Sequence, residues 1–408
     1  MTDIRIPFNK PALIGNEVWY MQDAVQRMHI SGDGHYSKLC HRHLEELLGV
    51  HRALLTTSCT TALELAAILL EIGPGDEVIM PSFTFVSTAN AFALRGATIR
   101  FAEVLPDTLN IDPEDVRRLV GPRTKAIVPV HYAGVPCDMD ELMSISAAHG
   151  IAVVEDAAQG LGSAYHGRPL GSIGHLAALS FHETKNVICG EGGAILINDP
   201  ELVERAEIIR EKGTNRAAFF RGDIDKYTWC GLGGSMLPSD LLAAFLFAQL
   251  ERADDLNERR RGLWSRYLEG LSSIGETPGV TLPHVPERTS HNGHLFALRV
   301  RDLEARTVLI EALRARGIGA PFHYVPLHLS PMGAQMGYVR GDLPITEREA
   351  ERLLRLPLYP TLTESEQQEV IEAVEEDVGR SHPRVPQIES CPEVRQRFDL
   401  KDQARKTP

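Results

Sequence analysis

The strongest candidate for chemistry in this chain is a lysine at the end of a short apolar stretch. The segment Ser180-Phe-His-Glu-Thr-Lys185-Asn186 follows apolar residues from Ala177 and runs into Gly190-Glu191-Gly192-Gly193. A lysine in a partly buried pocket loses its proton readily and can then act as an amine nucleophile. Because most single lysines are simply solvated, this one gains significance only from other parts of the chain.

Three further stretches could complete a site around that lysine. Thr57-Ser-Cys-Thr-Thr-Ala62 joins an apolar run to a helix, and helix N-termini bind phosphate through free N–H groups. Val153-Val154-Glu155-Asp156-Ala-Ala-Gln159 ends a buried strand in a carboxylate, which could keep a pyridine nitrogen protonated. Pro81-Ser-Phe-Thr-Phe85 could place an aromatic side chain over a planar ring. Each has an ordinary structural alternative: an N-cap, a strand cap or a core aromatic.

Together, the four stretches indicate a site for pyridoxal 5′-phosphate (PLP). All four follow strands, which is where open α/β sheets bind their ligands. The strands are expected near 53–55, 77–80, 99–101, 125–129, 151–154, 177–181 and 193–197, alternating with helices. Short apolar runs between amphipathic helices predict an α/β fold with a mostly parallel, doubly wound sheet.

The rest of the chain predicts a second, smaller unit. Residues 212–240 look irregular, and one long helix over 239–268 would lead into an α+β portion with helices at 305–316, 346–354 and 364–378 and a strand at 295–300. We therefore expect a large domain over 1–250, with an N-terminal segment, and a small C-terminal domain over 251–379. Residues 380–408 contain prolines without a clear apolar face, which predicts an extended or disordered tail.

Composition narrows the functional class. The 408 residues have a net charge of −13, which argues against nucleic acid or an anionic membrane as a partner. The start of the chain has no apolar signal core, and six scattered cysteines without a C-x-x-C pair predict reduced thiols and no metal site. We expect a cytoplasmic protein.

Several stretches of the sequence resemble motifs of a known family. The stretches 81–90, 130–134, 155–159, 180–186 and 324–328 are similar to motifs of the DegT/DnrJ/EryC1/StrS sugar aminotransferases, and the resemblance runs from Pro7 to about residue 375. It implies the PLP-dependent aspartate-aminotransferase fold, fold type I. His182 to Asn186, together with 211–216 and 225–229, resembles the branch that makes dTDP-4-amino-4,6-dideoxygalactose.

The resemblance implies roles for individual residues. Lys185 matches the Schiff-base lysine, Asp156 the pyridinium partner and Gln159 a residue that touches the ring or its phenolic oxygen. Phosphate contacts are implied for Cys59, Thr60 and Ser180, and ring stacking for Phe85. Two departures are visible. Cys59 stands where many members have glycine, and Ser235 where many have an asparagine that reaches the neighbouring subunit's phosphate.

The resemblance also implies substrates and assembly. L-Glutamate would be the amino donor, returning 2-oxoglutarate, and dTDP-4-keto-6-deoxyglucose would accept the amino group at C4. A homodimer with the irregular segment acting in trans is implied. Candidates for the substrate diphosphate are Lys212, Arg216, Arg221 and Lys226, and candidates for the sugar are His323, Tyr324 and His328.

Other functions remain open at the level of sequence. The acceptor could be another nucleotide keto-sugar, such as GDP-4-keto-6-deoxymannose or a 3-keto sugar. A PLP-dependent dehydratase of the family would have histidine in place of Lys185. A non-catalytic regulator would not need intact Lys185, Asp156 and Gln159. An NAD-dependent oxidoreductase is disfavoured because no G-x-G-x-x-G follows the first strand.

Overall fold

A seven-stranded sheet forms the centre of the protein. The structure is a computed structural model that describes residues 4–381. The sheet has the strand order β1-β9-β8-β5-β4-β2-β3. Its strands are β1 (Arg52–Thr56), β2 (Glu77–Pro81), β3 (Thr98–Ala102), β4 (Thr124–Ile127), β5 (Ala152–Asp156), β8 (Leu176–Ser180) and β9 (Gly193–Ile197).

The direction of these strands confirms the predicted α/β class. Neighbouring strands from β3 to β8 pair in parallel, whereas β9 runs antiparallel to both β8 and β1. The parallel strands therefore end at one edge of the sheet, where Asp156 and Ser180 are the last residues of β5 and β8. Gly193 opens β9 between Thr56 and Ser180, so the glycine run predicted beside the lysine returns to the same edge.

Helices cover this sheet with their apolar faces. The helices that precede residue 251 are α1 (Glu17–Gln26), α2 (His35–Leu48), α3 (Cys59–Leu69), α4 (Val86–Ala93), α5 (Pro113–Leu119), α6 (Met139–His149), α7 (Val203–Arg210), α8 (Arg216–Arg221) and α9 (Asp240–Leu250), and α8 alone among them buries no side chain. Side chains of α3 and α4 pack in one buried cluster with β2 and β3, and those of α2 and α9 pack in another on β1, β8 and β9. Helices therefore pack on both faces of the sheet and fix the edge at which Asp156 and Ser180 lie.

Two small sheets accompany the central one. β6 (Ala164–Tyr165), β7 (Arg168–Pro169) and β10 (Thr289–Ser290) form the first, and β11 (Phe296–Arg299) and β12 (Leu353–Leu356) form the second. The remaining helices are α10 (Ala253–Gly270), α11 (Ser272–Gly275), α12 (Leu303–Ala315), α13 (Pro331–Gln335), α14 (Pro344–Arg352) and α15 (Glu364–Ser381). A separate apolar core is built from α10, α12, α15 and the β11–β12 pair.

Three local predictions were wrong. The helix predicted over 239–268 is two helices, because Arg252 at φ −121° and ψ 18° interrupts it between α9 and α10. The helix predicted over 346–354 ends at Arg352, and Leu353–Leu356 is a strand paired with β11. The irregular segment contains the short helix α8.

The domain limits stay a prediction. Ala253 and Leu256 at the start of α10 pack in the core under the central sheet, whereas Leu263 and Tyr267 pack in the smaller core. The predicted division at 250/251 therefore falls just before a helix that both cores share. Of the predicted tail, 380 and 381 end α15 and 382–408 lie outside the described residues.

Candidate active site

A cavity of about 750 Å³ opens at the carboxyl edge of the central sheet. It brings together residues predicted from distant parts of the chain. Those that line it are Cys59, Thr60, Phe85, Asp156, Gln159, Ser180, Lys185, His323 and Tyr324. The cavity is large enough for a cofactor and a small substrate.

Asp156 is a buried carboxylate held in a fixed orientation. Thr88 donates its hydroxyl to Oδ2 at 2.7 Å, and the backbone N–H of Ala158 donates to Oδ1 at 3.2 Å. Burial raises the pKa of Asp156, against the lowering effects of Thr88, Ala158 and the Lys185 charge. A cationic nitrogen in the cavity would therefore find a carboxylate whose position is already set.

Lys185 lies in the turn after β8, half-buried and facing the same cavity. Its backbone N–H donates to the carbonyl of His182 at 2.9 Å, which closes the turn. Burial lowers the pKa of the Lys185 amine, the charge of Asp156 opposes this, and the charge of Arg355 lowers the pKa further. The amine is therefore free at a lower pH than that of an ordinary lysine.

Hydroxyl groups and a helix N-terminus form one end of the cavity. Ser58 caps α3 by accepting from the Thr61 N–H at 3.1 Å, and Thr60 donates to the Ser87 hydroxyl at 2.7 Å. Gly193 allows this junction to lie against β9, because a β-carbon there would overlap the backbone of Ser58 and Cys59. This end offers N–H and O–H donors, as a phosphate group requires.

Aromatic side chains form another wall. Tyr324 lies between Phe83 and Phe85, with ring centroids 5.5 Å and 6.4 Å away, respectively. Gln159 accepts from the Ala133 N–H at 2.7 Å and donates to the Tyr324 hydroxyl at 3.3 Å. Because Phe85 is 59% exposed, its ring is available to a planar ligand.

Comparison with known proteins gives the family. The DegT/DnrJ/EryC1/StrS aminotransferase family matches residues 12–375. The chain belongs to this family. It is 36% identical over 381 residues to the spore coat polysaccharide biosynthesis protein SpsC of Bacillus subtilis, covering 91% of this chain and 97% of SpsC.

Solved structures with the same fold include the following two. The PMP form of the putative sugar aminotransferase Spr1654 from Streptococcus pneumoniae has a TM-score of 0.86 at 28% identity, covering 92% of this chain and 100% of that one. DesV of S. venezuelae, in complex with a ketimine intermediate, has a TM-score of 0.84 at 35% identity, covering 92% and 98%. The predicted fold type I and PLP cofactor are thereby confirmed.

The residues of this sugar aminotransferase fit PLP. The donor-rich end at Ser58 to Thr61 suits the phosphate, and the buried carboxylate of Asp156 suits the pyridine nitrogen. The thiol of Cys59 stays neutral because burial raises its pKa, so a side chain at this position adds no negative charge next to the phosphate. The assignment of individual residues to PLP stays a prediction.

Six predicted site residues do not line the cavity of their own chain: Lys212, Arg216, Arg221, Lys226, Ser235 and His328. His328 is fully buried, with its ring nitrogens 2.7 Å from Ser82 Oγ and 3.1 Å from Glu347 Oε1, so its contacts are those of a packed histidine. Arg216 pairs with Glu211, and Arg221 with Glu207, on the protein surface. Ser235 is exposed and pairs through its backbone with Glu211.

Sequence reasoning missed several cavity residues. Those of chemical interest are Phe8, Thr88, Glu191, His294 and Arg355. Thr88 could have been found, since it lies three residues after Phe85 on α4 and so faces the same way. Arg355 could not, because it stands just after the helix predicted over 346–354, in a stretch for which no element was predicted.

Residues 4–381 show neither a metal-binding cluster nor a membrane-spanning helix. No group of three or more His, Cys, Asp or Glu side chains is placed there to bind a metal ion. Nor does that part of the chain contain a helix with the length and apolar character needed to cross a membrane.

Proposed function

We propose that this sugar aminotransferase moves an amino group from L-glutamate to C4 of a nucleotide-linked 4-keto-6-deoxy sugar, converting dTDP-4-keto-6-deoxyglucose to dTDP-4-amino-4,6-dideoxygalactose. The observation that carries the proposal is one cavity in which a lysine with a lowered pKa and a buried carboxylate stand near a donor-rich phosphate cup. The similarity to SpsC supports a role in making surface polysaccharide.

The chain's own residues would divide the chemistry. PLP, when bound, takes up the amino group and accepts the electrons released when the donor's α-C–H bond breaks. Asp156, held by Thr88, would keep the pyridine nitrogen protonated. The free amine of Lys185 would take the proton from the α-carbon and deliver it to the cofactor's C4′, and would reverse the transfer for the sugar. Gln159 would fix the ring's orientation from its anchor on Ala133.

The choice of sugar rests on the segment next to Lys185. His182 and Thr184 line the cavity beside the lysine, and their side chains hydrogen-bond to each other at 2.9 Å. These residues belong to the motif that resembles the C4 branch, which favours a 4-keto sugar. They lie close to the reacting amine, where contact with a sugar ring would be made.

We also propose a homodimer in the cytoplasm. Large apolar side chains are exposed on α1 and in the irregular segment, among them Trp19 at 62%, Trp229 at 73% and Leu232 at 80%. Exposed apolar side chains of this size support burial against a second subunit. The irregular segment would then carry Arg216, Arg221 and Ser235 to the partner's cavity. The free thiols found among the described cysteines are compatible with a reducing compartment.

The test is an amination assay with L-glutamate and a panel of dTDP-, UDP- and GDP-linked keto-sugars. NMR of the product gives the carbon that is aminated and the configuration at that carbon. We expect dTDP-4-amino-4,6-dideoxygalactose from dTDP-4-keto-6-deoxyglucose. Absence of product from that sugar, with turnover of a GDP-linked or 3-keto sugar, would assign the enzyme to the alternative acceptor.

A further inference from the structure

Arg355 is a cation in the cavity that the proposed function leaves without a role. It lies on β12 and lines the cavity together with Lys185. One terminal nitrogen donates to the Phe322 carbonyl at 3.0 Å, and the guanidinium stacks 4.3 Å above the ring of Phe8. Its Nε is buried and has no hydrogen-bond partner in the described part of the chain.

Arg355 has no carboxylate partner among the described residues, unlike two other arginines at the same small sheet. Arg299 lies 3.2 Å from Glu349, and Arg352 lies 3.1 Å from the same carboxylate. For Arg355, burial lowers the pKa, and no carboxylate is among the groups that oppose this shift. A half-buried cation without a counter-charge is costly, and an anionic ligand would remove that cost.

The position of Arg355 indicates which anion. Arg355 and Lys185 line the same cavity, and the charge of the guanidinium is one of the causes that lower the pKa of the Lys185 amine. The α-carboxylate of an amino donor is bonded directly to the carbon that loses this proton. The diphosphate of a nucleotide sugar is several bonds from C4, and the donor's side-chain carboxylate is two methylene groups farther away.

We propose that Arg355 binds the α-carboxylate of the amino donor. The inference rests on the amino-donor half of the proposed function and not on the identity of the sugar. A guanidinium presents paired N–H donors that match a carboxylate, so it would fix the donor's α-carbon relative to Lys185. The stacking on Phe8 holds the plane of the guanidinium in place.

The test uses the first half-reaction of the PLP-loaded enzyme, without any nucleotide sugar. Loss of the cofactor's visible absorption band reports amino transfer from L-glutamate, and from L-alanine, which keeps only the α-carboxylate. Calorimetry of 2-oxoglutarate binding gives a second readout that does not depend on turnover. The variants are Arg355→Gln and Arg355→Lys.

The matched control is Arg306→Gln. Arg306 also stacks on an aromatic ring, Phe322 at 5.3 Å, and also has a buried Nε without a partner, but it does not line the cavity. Thermal unfolding of all variants separates loss of packing from loss of binding. Should Arg355→Gln not fold, Arg355→Lys carries the test.

We expect Arg355→Gln to weaken the binding of L-glutamate, L-alanine and 2-oxoglutarate by the same factor, about 10- to 100-fold. The loss of affinity should be smaller in Arg355→Lys and absent in Arg306→Gln. A loss confined to L-glutamate would assign Arg355 to the side-chain carboxylate and overturn the proposal. If the amino donors bind as they do to the wild type while the KM for the nucleotide sugar is raised, Arg355 binds the phosphate of the nucleotide sugar. This outcome would also overturn the proposal. If no keto-sugar is aminated, the half-reaction still decides the role of Arg355.

Discussion

At the scale of single residues, the site depends on two ionisable groups, the buried Asp156 and the half-buried Lys185, that are both shifted towards their neutral forms. Burial raises the pKa of Asp156 and lowers that of Lys185, while each group's charge partly offsets the shift of the other. The protein spends folding free energy to hold a carboxylate and an amine where water would stabilise them better. Such an arrangement becomes favourable once a ligand supplies matching charges.

Asp156→Asn should therefore separate folding from cofactor binding. The folded-state pKa of Asp156 lies above its unfolded value, so ionisation above that value disfavours the folded state, and Asn removes this effect at neutral pH. We expect the variant without PLP to be at least as stable as the wild type in urea unfolding. PLP should stabilise it far less than it stabilises the wild type. A cofactor-free variant less stable by more than about 1 kcal/mol would contradict this account.

The lowered pKa of Lys185 leads to a second prediction. Borohydride reduction of the PLP-loaded protein should attach the cofactor to the peptide that contains Lys185. When PLP is added to the cofactor-free protein, attachment should continue below the pH at which an ordinary lysine is protonated. Peptide mapping after reduction at a series of pH values measures both. Lys226, which is exposed, serves as the internal control, and cofactor found mainly there would refute the assignment.

At the scale of elements, the turn between β8 and β9 matters as much as the lysine it carries. Gly193 pairs with Thr56 and with Ser180, and it lies directly against the backbone where α3 begins. The glycine run thus lets β9 pass next to the Ser58–Thr61 cup. This explains why a glycine-rich stretch follows Lys185 in the sequence.

Gly193→Ala should damage the cup. A β-carbon at 193 would overlap backbone atoms of Ser58 and Cys59, which cannot move without shifting the start of α3. We expect a loss of about 1–3 kcal/mol in unfolding free energy together with weaker PLP binding, measured by urea unfolding and by absorbance titration. Gly192→Ala is the matched control, because its closest new contact is the movable Sγ of Cys189. Equal effects of the two variants would argue against the backbone overlap.

The pattern of apolar residues along the chain predicted the helices and strands that bury one face. It failed where pairing with a strand far away in the sequence decided the structure. Asp156, Ser180 and Lys185 stand at or after the ends of short apolar runs that are typical of buried strands. Their position at the same edge of the sheet was therefore predictable. The stretch Leu353–Leu356 follows the helix α14 and has no helix-ending residue. It becomes a strand because β11, more than fifty residues earlier, offers it backbone partners. Arg355 was missed because it lies in this strand, just past the helix predicted over 346–354.

At the scale of the whole molecule, α10 connects the two apolar cores. Arg260, in the middle of α10, is fully buried and donates to the carbonyls of Gly293, His294 and Leu358. It thereby ties α10 to the segment that carries His294 into the cavity and to the chain that follows β12. The geometry between Lys185 and Arg355 depends on this junction, since the two residues come from different sheets.

The irregular segment can be tested by subunit complementation. If Arg216 acts in the partner's cavity, Lys185→Ala and Arg216→Ala homodimers each have two incomplete sites. A mixed dimer regains one complete site, formed by the intact Lys185 of one subunit and the intact Arg216 of the other. Mixing equal amounts under conditions that exchange subunits should restore about a quarter of wild-type activity, since half of the dimers are mixed and each has one working site.

The control variant is Arg314→Ala, which changes an arginine of α12 and is used in place of Arg216→Ala. We expect Arg314→Ala to be active on its own. If the mixture of the two inactive variants stays inactive while light scattering shows mixed dimers, Arg216 acts within its own subunit. If Arg216→Ala is active by itself, Arg216 has only its pairing with Glu211.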